Sequence, residues 1–252
     1  MKKIFYSLFF IIILFEQLSA LTRGDVQIIE ARENIQYLGQ KITTDYFLLY
    51  KRPNDLRLQN KFKENIVELE KNIQKIADTT QNAITLNVLS FYRYRLDYIK
   101  DIAQESPKLS NATKLLEASE YFLEGARSIE YQHRYKSTKE EEMLEHCKEL
   151  KYLIESVSKY YMAFQIGLRQ EQYDKNRLEA IAEIDKQLNR LTHYHYPQNL
   201  KSKLTQIKHI WQHNQSFFRY IEKTTYPNLL LSSNALIKEL LSDLEHHHKQ
   251  NL

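Results

Sequence analysis

From about Asp25 onward, apolar residues recur every three or four positions in one stretch after another. Between Leu56 and Asp78 the series Phe62, Ile66, Leu69, Ile73, Ile76 steps by four, three, four and three, which lays one stripe along an α-helix. Breakers divide the chain into eight such stretches. In the first half they run over about 25–51, 56–78, 83–104 and 108–134. In the second half they run from a cap at Ser137–Thr138 to about 169, then over 173–191, 200–223 and from Pro227 to about 246. Pro53, Pro107, Pro197 and Pro227 fall between stretches, where a missing N–H and a steric clash stop a helix. Ser137 with Glu140, or Thr138 with Glu141, has the spacing of a capping box that opens the fifth helix.

The second half repeats the first. At an offset of 115, Ile35, Leu38, Ile42, Tyr46 and Leu49 fall on Leu150, Leu153, Val157, Tyr161 and Phe164. Ile66, Leu69, Ile73 and Ile76 fall on Ile181, Ile184, Leu188 and Leu191 at the same offset. Aligning Pro107 with Pro227 changes the offset to 120 in the fourth helix. A helix with one apolar stripe buries one face, and four such helices bury their stripes against each other. The expected fold is therefore all-α: two tandem antiparallel, four-helix-bundle-like units, residues 21–135 and 136–252.

Residues 1–20 read differently. Lys2 and Lys3 precede an apolar run from Ile4 to Phe15, and Leu18-Ser19-Ala20 offers a small residue for cleavage. This is the layout of a signal peptide cleaved after Ala20, and it places the mature chain in the periplasm. Removing Lys2, Lys3 and Glu16 takes the net charge from +4 to +3. Acidic and basic residues alternate without a sustained Lys/Arg block, so no nucleic-acid partner is expected. Cys147 is the single cysteine and excludes an intramolecular disulfide. It reads as a small buried apolar residue.

The segment Gln36-Tyr37-Leu38-Gly39-Gln40-Lys41-Ile42-Thr43-Thr44-Asp45-Tyr46-Phe47-Leu48-Leu49 resembles the first helix of the PilJ/NarX-like sensory domain. Leu38, Gln40, Lys41, Ile42, Tyr46, Leu48 and Leu49 match the pattern of that family, and Trp211 fits a tryptophan of a later helix. The resemblance implies a periplasmic four-helix bundle that senses a small ligand and signals through a membrane sensor kinase or chemotaxis transducer. Glu33 stands at the family's glycine, and Gln36 at its ligand-contacting arginine, with Lys151 in the second repeat. Recognition of nitrate by a paired arginine is thus not implied.

No glycine-rich phosphate loop, His-Glu-x-x-His or Gly-x-Ser-x-Gly is present, so no catalytic residue and no cofactor is assigned. Gln36, Tyr37, Gln40, Lys41 and Lys151 are the candidate ligand-binding residues, with charge-assisted hydrogen bonds to a small anion as the expected chemistry. The bland alternative for Lys41 is a side chain that snorkels to solvent. Glu130 with His133, and Glu245 with His248, have a metal-ligand spacing but sit at helix ends, where solvated histidines are expected and no metal site is assigned. His246-His247-His248 reads as a polar tail and His193-Tyr194-His195-Tyr196 as an inter-helix loop. The rival readings are a structural or protein-interaction helical protein and a metal-dependent helical-bundle enzyme.

Overall fold

The computed structural model describes the backbone of residues 2–223 and 227–252, and the side chains of residues 23–222 and 227–252. The side chains of the expected leader, and the cleavage position after Ala20, lie outside the described residues. Among the described residues eight α-helices follow one another: α1 Lys2–Lys51, α2 Leu56–Thr79, α3 Ala83–Ile102, α4 Leu109–Gln132, α5 Lys139–Gln165, α6 Glu171–Thr192, α7 Gln198–Arg219 and α8 Pro227–Gln250. No strand occurs among the described residues. The fold is all-α. The first helix starts at Lys2 rather than near Asp25. Among the described residues, no helix is long and apolar enough to cross a membrane.

Local chemistry sets the ends. Asp55 caps α2 by accepting from the Leu58 N–H at 3.2 Å, and Asn82 caps α3 by accepting from Thr85 at 3.0 Å. Of the two capping boxes that the sequence allows, Thr138 with Glu141 is the one that forms, through bonds of 3.2 and 2.6 Å. Helices α4 and α5 are thereby separate. Gly167 takes φ 89° just past α5, a left-handed turn that suits a residue without Cβ.

Helix α1 packs beside α2 and α4, and α3 closes the ring against the same two; α5, α6, α8 and α7 repeat the pattern. The two rings meet through α1 and α5. Glu33 bonds Lys148 at 2.6 Å, and Lys41 faces Glu155 farther along, so α1 and α5 run in the same direction. Both are buried on nearly every side. From Tyr152 to Ala163, every residue of α5 is buried.

The offset of 115, which is also the separation of Glu33 and Lys148, holds through all four helix pairs. Buried Phe62, Ile66, Leu69, Asn72, Ile73 and Ile76 of α2 correspond to buried Arg177, Ile181, Ile184, Gln187, Leu188 and Leu191 of α6. Thr85, Leu89, Tyr92, Leu96 and Ile99 of α3 correspond to Leu200, Leu204, Ile207, Trp211 and Asn214 of α7. In the last pair, Leu115, Ser119, Phe122, Ala126 and Ile129 correspond to Leu230, Asn234, Ile237, Leu241 and Leu244. The offset of 120 expected there from the prolines is therefore wrong. Pro107 lies two residues before α4, whereas Pro227 is the first residue of α8, so matching the prolines slides the buried stripes apart.

Candidate functional site

The two rings leave a groove on each side of the α1–α5 seam. The first, of about 990 Å³, runs between α4 and α6 over a floor from α1 and α5. The second, of about 400 Å³, is bounded by α8 over the opposite faces of α1 and α5. Shifting the numbering by 115 maps one on the other: Glu145, Tyr152, Glu124 and Glu130 become Glu30, Tyr37, Glu239 and Glu245. The duplication thus made two related grooves, and their chemistry has diverged.

In the second groove three of the four lining lysines have carboxylate partners. Lys148 bonds Glu33 at 2.6 Å, Lys151 meets Glu245 at 2.7 Å and Ser242 at 2.8 Å, and Lys238 bonds the buried Glu155. Burial alone would raise the Glu155 carboxyl, but Lys238 and Lys41 pull it down to about 2. Lys41, deeper in the seam, bonds Asp45 one helical turn on. Its charged form is favoured by Glu155 and Asp45 in spite of burial. Lys41 is only 9% exposed, so it does not snorkel to solvent.

The larger groove is different. Seven glutamates line it, against three arginines and one lysine. At its floor Arg32 of α1 is buried, its side chain 4% exposed. Nη1 donates to Gln36 at 3.0 Å and stands 3.5 Å from Glu130, while Nη2 lies 3.8 Å from Glu145. Nε and Nη2 have no hydrogen-bond partner within the protein. A buried guanidinium normally fills such positions, because each unmade bond costs on the order of 1–3 kcal/mol. Facing it from α5, Glu149 is pushed up to about 7 by burial and by Glu145, Glu33 and Glu130, with Arg32 opposing through space. Arg32 also borders a pocket of about 110 Å³ near the connection from α4 to α5.

The residues expected from the sequence divide between these places. Gln36 lines the large groove, Tyr37 and Lys151 line the second one, and Lys41 is ion-paired in the seam. Gln40 is fully buried; its Nε2 donates to the Ser119 carbonyl at 3.4 Å, and Oε1 has no partner within the protein. Arg32 and Glu149 were missed. The sole signal was an arginine one turn before Gln36 in a helix whose other faces are apolar.

The expectation of solvated histidines at the helix ends is corrected. His133 is 7% exposed, bonding Asp25 at 2.9 Å, Thr85 at 2.9 Å and Thr80 at 3.3 Å. His248 is fully buried and bonds Glu140 and the Tyr196 hydroxyl, each at 2.7 Å. Burial lowers the His248 pKa, with Glu140 opposing. The expected polar tail and loop instead pack together, Tyr194 and Tyr196 against His247 and His248. Each clasp ties the end of a ring's fourth helix to its first, at Asp25 partway along α1 and at Glu140 in the first turn of α5. Among the described residues, no group of three or more His, Cys, Asp and Glu side chains is arranged to hold a metal ion. Cys147 is fully buried, and burial raises its thiol pKa. No family model matches this chain, and neither a curated protein nor a solved structure matches it.

Proposed function

We propose that this chain is an exported, non-catalytic, small-ligand-binding module of the sensory kind, with the groove between α4 and α6 as its site. The observation that carries this reading is Arg32, buried at the floor of a 990 Å³ groove with two N–H groups unpaired. Ligand sites are concave and hold a few convergent polar groups whose partners arrive with the ligand. A ligand seated there would touch α1 through Arg32 and α5 through Glu149, the two helices that join the rings. Binding would bias the setting of one ring against the other, the kind of discrete shift that packed helices use to signal to a sensor kinase or transducer. The small anion expected from Lys41 and Lys151 has less support, because both lysines are ion-paired.

A thermal-shift screen over amino acids, amines, carboxylates, sugars and nucleosides tests the reading. A ligand that binds only the folded state raises the melting point, by RT ln(1 + [L]/Kd) in free energy. At least one class should raise it in the wild type and not in Arg32→Lys. A flat screen would remove the reading. A protein-interaction role is the second reading, favoured by Phe91 and Tyr94, which stand 72% and 69% exposed on α3.

A further inference from the structure

We infer that the groove between α4 and α6 takes a cationic amino acid, its carboxylate held by Arg32 and its amino groups by Glu149 and the neighbouring glutamates. This rests on the ligand-binding reading above and names the class of ligand.

The geometry of the vacant donors selects the first half of the ligand. Nε–H and Nη2–H point from the same edge of a guanidinium, and that edge matches the two oxygens of a planar carboxylate. Nη1 is already bonded to Gln36, which fixes the guanidinium plane and leaves the fork free. Glu130 and Glu145, at 3.5 and 3.8 Å, stand near enough to balance its charge but do not occupy the fork.

The second half follows from charge. A carboxylate alone would enter a groove with a surplus of two negative charges, seven glutamates standing against four cations of the lining and Lys159 beneath Glu120. Some of those glutamates are occupied: Glu120 bonds Lys159 at 2.5 Å, and Glu183 bonds Lys186 at 2.8 Å. Glu149 shares the groove lining with Arg32 and feels its charge without bonding it, so an acceptor and a buried, unpaired two-pronged donor belong to one site. An ammonium on the same molecule as the carboxylate satisfies both, and a second cation offsets the remaining surplus.

The other groove supplies an internal control. At the offset of 115, Arg32 becomes Cys147, which is fully buried and absent from that lining, and Glu149 becomes Asn34. Both halves of the recognition pair are lost together there, whereas Tyr152 and Glu145 are kept as Tyr37 and Glu30. The same scaffold persists without the pair, so the fold does not require it.

Isothermal titration calorimetry at pH 8 on the full chain, with L-lysine and L-arginine as probes, tests the inference. Both should bind, while putrescine, which lacks the carboxylate, and acetate, which lacks the amine, bind at least tenfold more weakly or not at all. Arg32→Lys keeps the charge and removes the fork, and Glu149→Gln removes the carboxylate from a site that burial disfavours for it. Each should weaken lysine and arginine at least tenfold, and Glu149→Gln should do so with a melting point equal to or above that of the wild type. Absence of binding by both amino acids, putrescine binding as tightly as lysine, or wild-type affinity in both variants would overturn the inference. If another class in the thermal-shift screen binds instead, the inference falls and the ligand-binding reading stands; a flat screen removes both.

Discussion

Glu149 shows how a single carboxyl can cost stability at neutral pH. Its pKa in the fold, raised to about 7 from an ordinary 4.5, means that the folded chain favours the protonated form. Its contribution is then fully present below about pH 4.5 and is lost as the pH rises through about 7. Glu149→Gln removes the charge, and chemical unfolding at pH 8 should show a gain of up to about 3 kcal/mol, one pKa unit being worth about 1.4 kcal/mol. The gain should shrink to nothing by pH 4.5. A variant less stable than wild type at pH 8 would show that the carboxylate is well solvated. This residue and Arg32 were not legible in the sequence, since a charged residue beside an apolar stripe normally marks a solvated face. What reverses that meaning is the second ring, which covers the polar flank of α1, and no periodicity within one helix announces a neighbour 115 residues away.

At the scale of elements, most of the pattern was legible. Burying one side of a helix forces apolar spacing, and six buried positions of α2 recur in α6 at constant offset. The error in the fourth pair came from trusting prolines, which mark where a helix can start and not which side it buries. Close approach between elements was equally hidden. In the first ring Gly125 of α4 faces Tyr92 of α3, whose hydroxyl donates to the Phe122 carbonyl at 2.7 Å. A Cβ on Gly125 would meet the Tyr92 ring and hydroxyl at 2.6 Å. Gly125→Ala gains about 1 kcal/mol of helix propensity but overpacks a site where such insertions cost roughly 1–3 kcal/mol. Equilibrium unfolding should show a net loss of up to about 2 kcal/mol. Pairing it with Tyr92→Phe, which removes the crowding oxygen, should recover part of that loss.

For the whole molecule, the seam between the rings is the unusual part. Its centre is built from ion pairs, Lys41 with Asp45 and Lys238 with Glu155, where most helical proteins place hydrocarbon. Glu155 is fully shielded within this cluster, so Glu155→Gln leaves Lys238 without its carboxylate and Lys41 with Asp45 alone. Breaking a buried pair from one side costs roughly 3–5 kcal/mol. Thermal unfolding of this variant should fall accordingly, and both rings should be affected because α1 and α5 belong to each other's cores. In the wild type the same group, with its pKa lowered to about 2, contributes stability above pH 4.5 that is lost as the pH drops toward 2. Glu155→Gln should therefore show a flatter acid limb. An unchanged limb would assign acid sensitivity to other carboxyls.

The histidine clasps have an architectural consequence. His133 with Asp25, and His248 with Glu140, hold the end of each ring's fourth helix against the point where its first helix enters the ring. Entry and exit of the polypeptide therefore sit side by side, and a copy can be spliced on through the short bridge from His133 to Thr138 without rethreading either unit. The same adjacency leaves the opposite pole, with its turns at 52–55 and 166–170, free to vary in length without disturbing that splice.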